Sequence, residues 1–438
     1  METKAFLLIL LLSCNLLFSR AAEQRMVFAH YLLYQPETIE TLKKEIQLAQ
    51  SKGIDGFALN SNEWREARAD DMYEAAKQVG SSFKLFFSAD IHKDSNGNLT
   101  PDQLVAMLSS KYTSHPNQMK YQDRPLFSSW LGSNDSWWKE YNYASALDGW
   151  KDVFQKAGGK QNFSFIPFFP TDGSYWGVRG TAENYTDVID GLYTWETSAW
   201  PYLDSDKQNP SDSLDRNYLN ASNFLGKVYM ASPSPWFFKE CEVKGNYQGP
   251  GLWITRWEQL IKLSPPLLEI VTWNDWVESS YVAPSLSSST DAANVADFTH
   301  RAFLELGQYY ISWYKSGSAP AITQDSIYLF YYTHSKTVVL SGSLCQVSDF
   351  SALSDKVYVT AMLTAPASVQ LQSGSSSQTF NAQAGISTWS MDFQEGQQTA
   401  VLSRDGKELS KLVGSKSISN SNVQKYNFNV YSTCTTCT

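Results

Sequence analysis

The sequence LLEIVTWNDWVE occupies residues 267–278 and joins a β-strand pattern to a polar end. The apolar run 267–272 predicts a buried strand, and two tryptophans then frame Asp275 and Glu278. Side chains three residues apart point to opposite faces of a continuing strand, but they share a face on a tight turn or a helical turn. We therefore expect the strand to end near Asn274, so that both carboxyls project into one cleft.

Strand-like and helix-like patterns alternate from residue 26 to about residue 317. The strand-like runs are 26–33, 54–60, 83–90, 125–130, 163–169, 188–195, 227–231 and 267–272. The helix-like runs are 37–52, 63–79, 101–113, 145–157, 213–224, 252–262 and 295–315. Strands that each lead into a crossover predict an α/β protein, a (β/α)₈ barrel of the TIM type.

The pattern changes after the segment SGSAP at 316–320. Strand-like runs at 326–333, 356–363, 368–371 and 399–402 are separated by turns rich in Ser, Gly and Gln, which is typical of an antiparallel β-sandwich. We expect a signal peptide at 1–21, a catalytic barrel at 22–318 and a C-terminal β-sandwich accessory domain at 319–438.

The N-terminus has the pattern of a secretory signal peptide. A short apolar core at 5–19 follows Lys4, and Ser19-Arg20-Ala21 supplies a small-x-small cleavage site. The later sequence contains no apolar run long enough for a membrane span and no lipid-anchor signal. We expect a secreted protein, extracellular or in a cell wall, that is a monomer without a membrane anchor.

Charge limits the class of partner. The formal net charge is -9, and an acidic chain repels a polyanion such as nucleic acid, whereas it does not repel a neutral polymer. Five Asn-x-Ser/Thr sequons suit a secreted glycoprotein, and they lie at Asn98, Asn134, Asn162, Asn184 and Asn220.

Four cysteines follow the signal peptide: Cys241, Cys345, Cys434 and Cys437. The Cys434-Thr-Thr-Cys437 spacing would suit a redox motif or half a zinc site, but neither a second such pair nor a His cluster accompanies it. Disulfide bonds in an oxidising compartment are favoured, and their pairing is left open.

Polar and aromatic residues gather where the predicted strands end. In a (β/α)₈ barrel this edge carries the active site. The candidates here are His30, Tyr31, Asn60, Asp90, Trp130, Trp195, Glu196, Trp236, Trp273, Asn274 and Trp276, together with Asp275 and Glu278. Each one alone has a structural alternative, since a strand-end Asp is often a helix cap and a Trp is often core. Their coincidence on one rim favours a site.

The sequence excludes several kinds of chemistry. It has five His without a His-x-x-x-His or His-x-His pair, so no metal site is expected. It also lacks a Gly-x-Ser-x-Gly elbow, which disfavours a Ser-His-Asp hydrolase. A Gly-x-Gly-x-x-Gly fingerprint and a P-loop are absent as well, and we expect no cofactor. What remains is a carboxylate pair beside indoles, which is the usual composition of a sugar-cleaving site.

Four segments in matching order resemble the endo-1,3-α-glucanases, or mutanases, of glycoside hydrolase family 71. They are GIDGFALN at 53–60, FSAD at 87–90, SPSPWF at 232–237 and TWNDWVES at 272–279. The resemblance covers about residues 26 to 315 and continues more weakly beyond. It implies a (β/α)₈ domain that hydrolyses α-1,3-glucan with inversion, with essential acids at Asp275, Glu278 and Asp90.

The chain departs from this family at two places. Val277 stands where the family usually has Gly, and LLYQ at 32–35 replaces a Gly-Asn-Thr segment. Because a β-branched residue rarely adopts a positive φ, we expect the turn from Asp275 to Glu278 to differ in shape.

Together with the signal peptide pattern, this resemblance implies a secreted, inverting endo-hydrolase of cell-wall α-1,3-glucan. Glu278 is favoured as the acid and Asp275 as the base, with the exchange of roles left open, and Asp90 would orient water or raise the pKa of the acid. The candidate stacking residues are Trp130, Trp195, Trp236, Trp273 and Trp276. Two alternatives are a hydrolase of another α-linked glycan, such as a mannan, and a catalytically silent wall lectin. Retention of all three acids argues against the lectin.

Overall fold

The first part of the chain is built on a curled sheet of mostly parallel strands. The chain is described from a computed structural model, and the described residues are 25–33, 37–92, 99–195, 211–239, 242–243, 250–287, 289–341 and 353–437. The strands are β1 (Met26–Leu32), β2 (Gly56–Ser61), β3 (Lys84–Asp90), β4 (Lys120–Tyr121), β5 (Arg124–Trp130), β6 (Ser164–Phe165), β7 (Gly191–Tyr193), β8 (Val228–Ala231), β9 (Phe238–Lys239), β10 (Glu242–Val243) and β11 (Leu267–Ile270). The predicted signal peptide lies outside the described residues.

Strand order follows the predicted alternation. The large sheet runs β4-β5-β3-β2-β1-β11-β8-β7, β6 pairs with β5, and every pairing except β4 with β5 is parallel. The short strands β9 and β10 form a separate antiparallel pair. Beyond β6, Phe168 forms a parallel bridge with Tyr193, whose amide donates to the carbonyl of Pro167 over 2.9 Å. The segment after β6 therefore contacts β7.

Helices connect these strands. They are α1 (Ile39–Ser51), α2 (Glu66–Val79), α3 (Pro101–Met107), α4 (Ser110–Thr113), α5 (Asp135–Glu140), α6 (Ala146–Lys156), α7 (Tyr175–Asn184), α8 (Ser213–Phe224), α9 (Pro250–Leu263), α10 (Thr290–Val295) and α11 (Arg301–Ser316). The start of α3 is fixed by a capping box, in which Thr100 and Gln103 satisfy each other's backbone amides, with Pro101 as the first helical residue.

Alternation along the strands separates two apolar layers. Phe28, Ala58 and Phe86 contribute to one buried cluster, whereas their neighbours Val27 and Phe57 belong to the larger cluster that includes the helices. Buried parallel strands are apolar on both faces, which explains why these segments read as continuous hydrophobic runs.

The C-terminal part consists of two four-stranded antiparallel sheets. The strands are β12 (Ser326–Tyr331), β13 (Lys356–Leu363), β14 (Ala367–Ser373), β15 (Ser376–Ala382), β16 (Gly385–Asp392), β17 (Gln398–Arg404), β18 (Lys407–Val413) and β19 (Tyr431–Cys434). One sheet has the order β16-β13-β12-β19 and the other β15-β14-β17-β18. Leu329 and Val359 from the first sheet share an apolar cluster with Leu371 and Leu402 from the second.

The parallel and antiparallel parts share a continuous core. Phe303 on α11 packs against Phe330 on β12 with ring centroids 4.8 Å apart, and the indole Nε1 of Trp236 donates to the carbonyl of Phe428 over 2.9 Å. Apolar residues from both parts therefore belong to one buried cluster.

Two further expectations concern cysteines and membranes. Cys434 and Cys437 form a disulfide bond, while Cys241 and Cys345 lie outside the described residues. None of the helices in the described ranges is both long and apolar enough to cross a bilayer.

Candidate active site

The turn after β11 carries both predicted carboxylates. Strand β11 ends at Ile270, four residues before the expected Asn274. Thr272 Oγ1 then accepts a hydrogen bond from the amide of Asp275 over 2.9 Å, and Asp275 Oδ1 accepts one from the amide of Glu278 over 2.9 Å. These hydrogen bonds between side chains and backbone stabilise the turn. Asp275 is therefore both a candidate catalytic acid and a cap for the turn.

The electrostatic environment distinguishes the two acids. Burial first, and then the neighbouring Glu278 carboxyl, raise the pKa of Asp275 to about 8. Glu278 is 25 % exposed, and its Oε1 lies 3.5 Å from the Lys239 ammonium. Asp275 is thus held towards its neutral form, whereas a cation faces Glu278.

Val277 does not strain this turn. It is absent from the residues with positive φ, and Ser279 takes the left-handed conformation instead, with φ of 53°. The Val277 side chain is 47 % exposed. The left-handed position therefore lies two residues after Val277, and a difference in turn shape from the family that the sequence resembles stays a prediction.

Aromatic side chains form part of the rim at the strand ends. Trp130 at the end of β5 meets Trp195 edge-on with ring centroids 6.2 Å apart, and His92 packs against Trp130 at 5.8 Å. Asp90 ends β3, is partly exposed, and pairs with Trp130 in the parallel register. The structure thus brings Asp90, Trp130 and Trp195 together at the carboxyl-terminal ends of the parallel strands.

A buried polar pair adjoins this rim. His30 Nδ1 lies 2.6 Å from Glu269 Oε1, and the His30 ring meets Trp195 with centroids 4.8 Å apart. Burial first, and then Glu269, raise the pKa of Tyr193 well above its ordinary value. Glu269 and Tyr193 were not among the candidate site residues predicted from the sequence. The available signal was a charged residue inside the apolar run 267–272.

Several candidates do not join this group of residues at the strand ends. Tyr31 donates its hydroxyl to Glu45 on α1 over 2.7 Å and packs against Phe57. Trp236 donates its indole N–H to the carbonyl of Phe428, in the segment that precedes β19. Such contacts to a helix and to the C-terminal part are those of packing residues.

The remaining candidates are also buried. Trp273 packs against Phe57 with ring centroids 5.1 Å apart. The side chain of Asn274 makes two hydrogen bonds with the backbone of Leu32. Its Nδ2 donates to the carbonyl of Leu32 over 3.2 Å, and its Oδ1 accepts from the amide of Leu32 over 2.8 Å. Trp276 packs against Tyr281, and Asn60 is buried at the end of β2. Glu196 lies outside the described residues.

The sequons occupy different surroundings. Asn162, Asn184 and Asn220 are exposed, and Asn98 lies outside the described residues. Asn134 is partly buried, caps α5 and donates its amide nitrogen to the carbonyl of Ile91 over 3.1 Å.

In the described part of the chain, no group of three or more His, Cys, Asp or Glu side chains is arranged to hold a metal ion. The chemistry that this site offers is that of paired carboxyls, one held towards its neutral form, beside a rim of indoles.

Comparison with known proteins gives consistent matches over nearly the whole chain. A glucan endo-1,3-alpha-glucosidase of Schizosaccharomyces pombe is 30 % identical over 97 % of this chain and 98 % of that protein. A mutanase of Penicillium rubens is 30 % identical over 94 % of this chain and 89 % of that protein. An ascus wall endo-1,3-alpha-glucanase of Schizosaccharomyces pombe is 27 % identical over 85 % and 87 %.

Among solved structures, a GH99 endo-alpha-mannosidase of Bacteroides thetaiotaomicron is similar with a TM-score of 0.48, 13 % identity, and coverage of 66 % of this chain and 98 % of that chain. The model of glycosyl hydrolase family 71 matches residues 23–438. The protein is therefore a member of glycosyl hydrolase family 71.

Proposed function

We propose that this protein is an endo-hydrolase of α-1,3-glucan and that Asp275 and Glu278 carry the reaction. The supporting observation is their placement on one hydrogen-bonded turn, with the pKa of Asp275 raised to about 8. The relatives named as endo-1,3-alpha-glucosidase, mutanase and ascus wall glucanase support the substrate and a place of action at a cell wall.

The fold proposed for this activity is a (β/α)₈ barrel at 22–318 followed by a β-sandwich at 319–438. The hydrogen bond from Tyr193 to Pro167 and the parallel bridge between Tyr193 and Phe168 support closure of the parallel sheet. The shared apolar cluster between the two antiparallel sheets supports the sandwich.

The mechanism proposed is inverting general acid–base catalysis. Asp275, kept neutral by burial, protonates the leaving oxygen, and Glu278, which faces the Lys239 ammonium, activates water on the opposite face of the sugar. This exchanges the roles that the sequence favoured. Asp90 lies at the same edge of the sheet and would orient the water.

Substrate contacts are proposed for the exposed part of the rim. Trp130 and Trp195 are partly exposed and meet edge-on, which offers indole faces for pyranose rings.

The test is hydrolysis of insoluble α-1,3-glucan by the purified protein. The reducing ends released and the sizes of the products are measured, and α-mannan is tested in parallel. Asp275→Asn and Glu278→Gln should each lower turnover by about 10²–10⁴-fold, because positioned acids and bases contribute that much. The control is Glu305→Gln, because Glu305 is a carboxylate on α11 that pairs with Lys52. Near-normal turnover in folded Glu278→Gln protein would refute the assignment. Cleavage of mannan alone would refute the substrate, and glucan binding without cleavage would indicate a lectin.

A further inference from the structure

A pocket of about 480 Å³ lies beside the turn that carries the two acids. Trp276, Val277 and Ser279 line it from the turn, Asn294 lines it from α10, and the segment 425–429 lines it from the C-terminal part. Its volume falls within the roughly 300–1,000 Å³ of small-molecule sites. Two parts of the chain that are distant in sequence therefore enclose one cavity.

The floor of this pocket is rigid. Asn429 is 2 % exposed, donates its amide nitrogen to the hydroxyl of Tyr281 over 3.0 Å, and has its Oδ1 2.8 Å from His300 Nε2. The Tyr281 and His300 rings stack with centroids 4.1 Å apart, and Trp276 packs on Tyr281 at 4.6 Å. Because these side chains are already fixed by their mutual contacts, little free energy is spent on ordering the floor when a ligand binds.

The lining matches an uncharged polyol. Amide side chains of Asn294 and Asn427 and the hydroxyl of Ser279 both donate and accept hydrogen bonds, as sugar hydroxyls do. Tyr426 adds an aromatic ring that stacks on Phe428 with centroids 5.5 Å apart. Aromatic faces beside amides are suited to pyranose rings.

Charge argues against an anionic ligand. Lys239 and Lys425 line the pocket together with Asp291, and Glu278 Oε1 lies 3.5 Å from Lys239. Two ammonium groups thus face two carboxylates, which leaves no excess of positive charge to bind a phosphate or a sulfate.

We propose that this pocket is a distal subsite that binds part of the same neutral glucan chain whose bond is cleaved at Asp275 and Glu278. The inference rests on the proposed function. A chain leaving the acids would pass the exposed Val277 and enter the pocket, so Tyr426 and Asn427 of the C-terminal part would contribute to substrate affinity.

The test fills the pocket from its exposed edge. Asn294→Trp places an indole in the cavity, and Ala293→Trp is the matched control, since Ala293 is an exposed neighbour on α10 that does not line the pocket. We expect Asn294→Trp to raise KM about tenfold, the equivalent of about 1.4 kcal/mol, for long α-1,3-gluco-oligosaccharides. It should leave KM unchanged for the shortest oligosaccharide that is cleaved. Ala293→Trp should match the wild type at every chain length.

A binding measurement separates this proposal from the proposed function. Calorimetric titration of a long α-1,3-gluco-oligosaccharide into Asp275→Asn protein, with and without Asn294→Trp, measures binding at the pocket without hydrolysis. Equal KM and equal affinity with and without Asn294→Trp would overturn the subsite while leaving the enzyme intact. Affinity that depends on Asn294 in a protein whose wild type cleaves no α-1,3-glucan would overturn the proposed function and support the pocket.

Discussion

The imidazole Nδ1 of His30 lies 2.6 Å from the carboxylate oxygen Oε1 of Glu269. The two side chains are 1 % and 0 % exposed, and they join β1 to β11 next to Trp195. A buried charge is costly unless it has a partner, so each member of this pair depends on the other.

We predict that Glu269→Ala lowers the free energy of unfolding by about 3–5 kcal/mol, because removal of one partner leaves the other buried and unpaired. Glu269→Gln keeps an oxygen that can accept from the imidazole and should cost less. Urea unfolding followed by circular dichroism measures both. A loss below about 1 kcal/mol in Glu269→Ala would mean that the pair contributes little.

The second prediction concerns Glu45, which accepts the hydroxyl of Tyr31. Burial raises the pKa of Glu45 to about 8. Between the ordinary Glu pKa of about 4.3 and about 8, the folded protein binds this proton and the unfolded chain does not. Stability therefore falls as pH rises through this window.

Glu45→Gln should remove this contribution, so its unfolding free energy should fall less between pH values of about 5 and about 8. Denaturant titrations at matched pH values check it, with Glu40→Gln, an exposed change on the same helix, as the control. Parallel pH profiles for Glu45→Gln and the wild type would show that Glu45 is ionised in the folded state.

The third prediction contrasts two tryptophans that the sequence could not tell apart. Trp130→Ala should raise KM for glucan by about 10- to 100-fold, since base–aromatic stacking energies of about 1–3 kcal/mol set the scale for flat ligands. Trp236→Phe removes the hydrogen bond to Phe428 and should lower stability by about 1 kcal/mol with KM unchanged. Steady-state kinetics and thermal unfolding on both variants distinguish the roles. The opposite pattern would exchange them.

The parallel strands were predictable because their two buried faces make them continuous apolar runs. Strands β15 and β18 were not predicted, since their residues are mostly exposed and polar and carry little hydrophobic signal. Helix α5 was missed as well. It is six residues long, and its buried Trp137 and Trp138 are adjacent, so it shows no helical periodicity.

The site was predictable where strand ends and side-chain alternation decide it, and unpredictable where the packing of distant segments decides it. Tyr31 follows His30, so it must face the opposite side of β1, and it reaches Glu45 on a helix. That alternation was available from the sequence. The contact of Trp236 with Phe428 spans 192 residues and depends on how the two parts of the chain pack, which local patterns do not encode.

The fourth prediction uses the proton on Asp275. If this carboxyl is the acid, kcat/KM should fall as pH rises through about 8, where Asp275 loses its proton. Glu278→Gln removes the neighbouring charge that helps to raise this pKa, so the alkaline limb of its residual activity should move to lower pH. An alkaline limb that persists unchanged in Asp275→Asn would assign it to another group.

The last prediction concerns the stereochemistry of the product. In an inverting site the two carboxyl groups stand about 6.5–9.5 Å apart, which leaves room for water below the anomeric carbon, and no glycosyl-enzyme forms. Hydrolysis of an α-linkage then releases the β-anomer first. Proton NMR in the first minutes of reaction, before mutarotation, should show the β signal rising ahead of the α signal. Early α-anomer would mean that one carboxylate attacks the sugar directly, as in sites where the groups are only about 5–5.5 Å apart, and the inverting mechanism would be wrong.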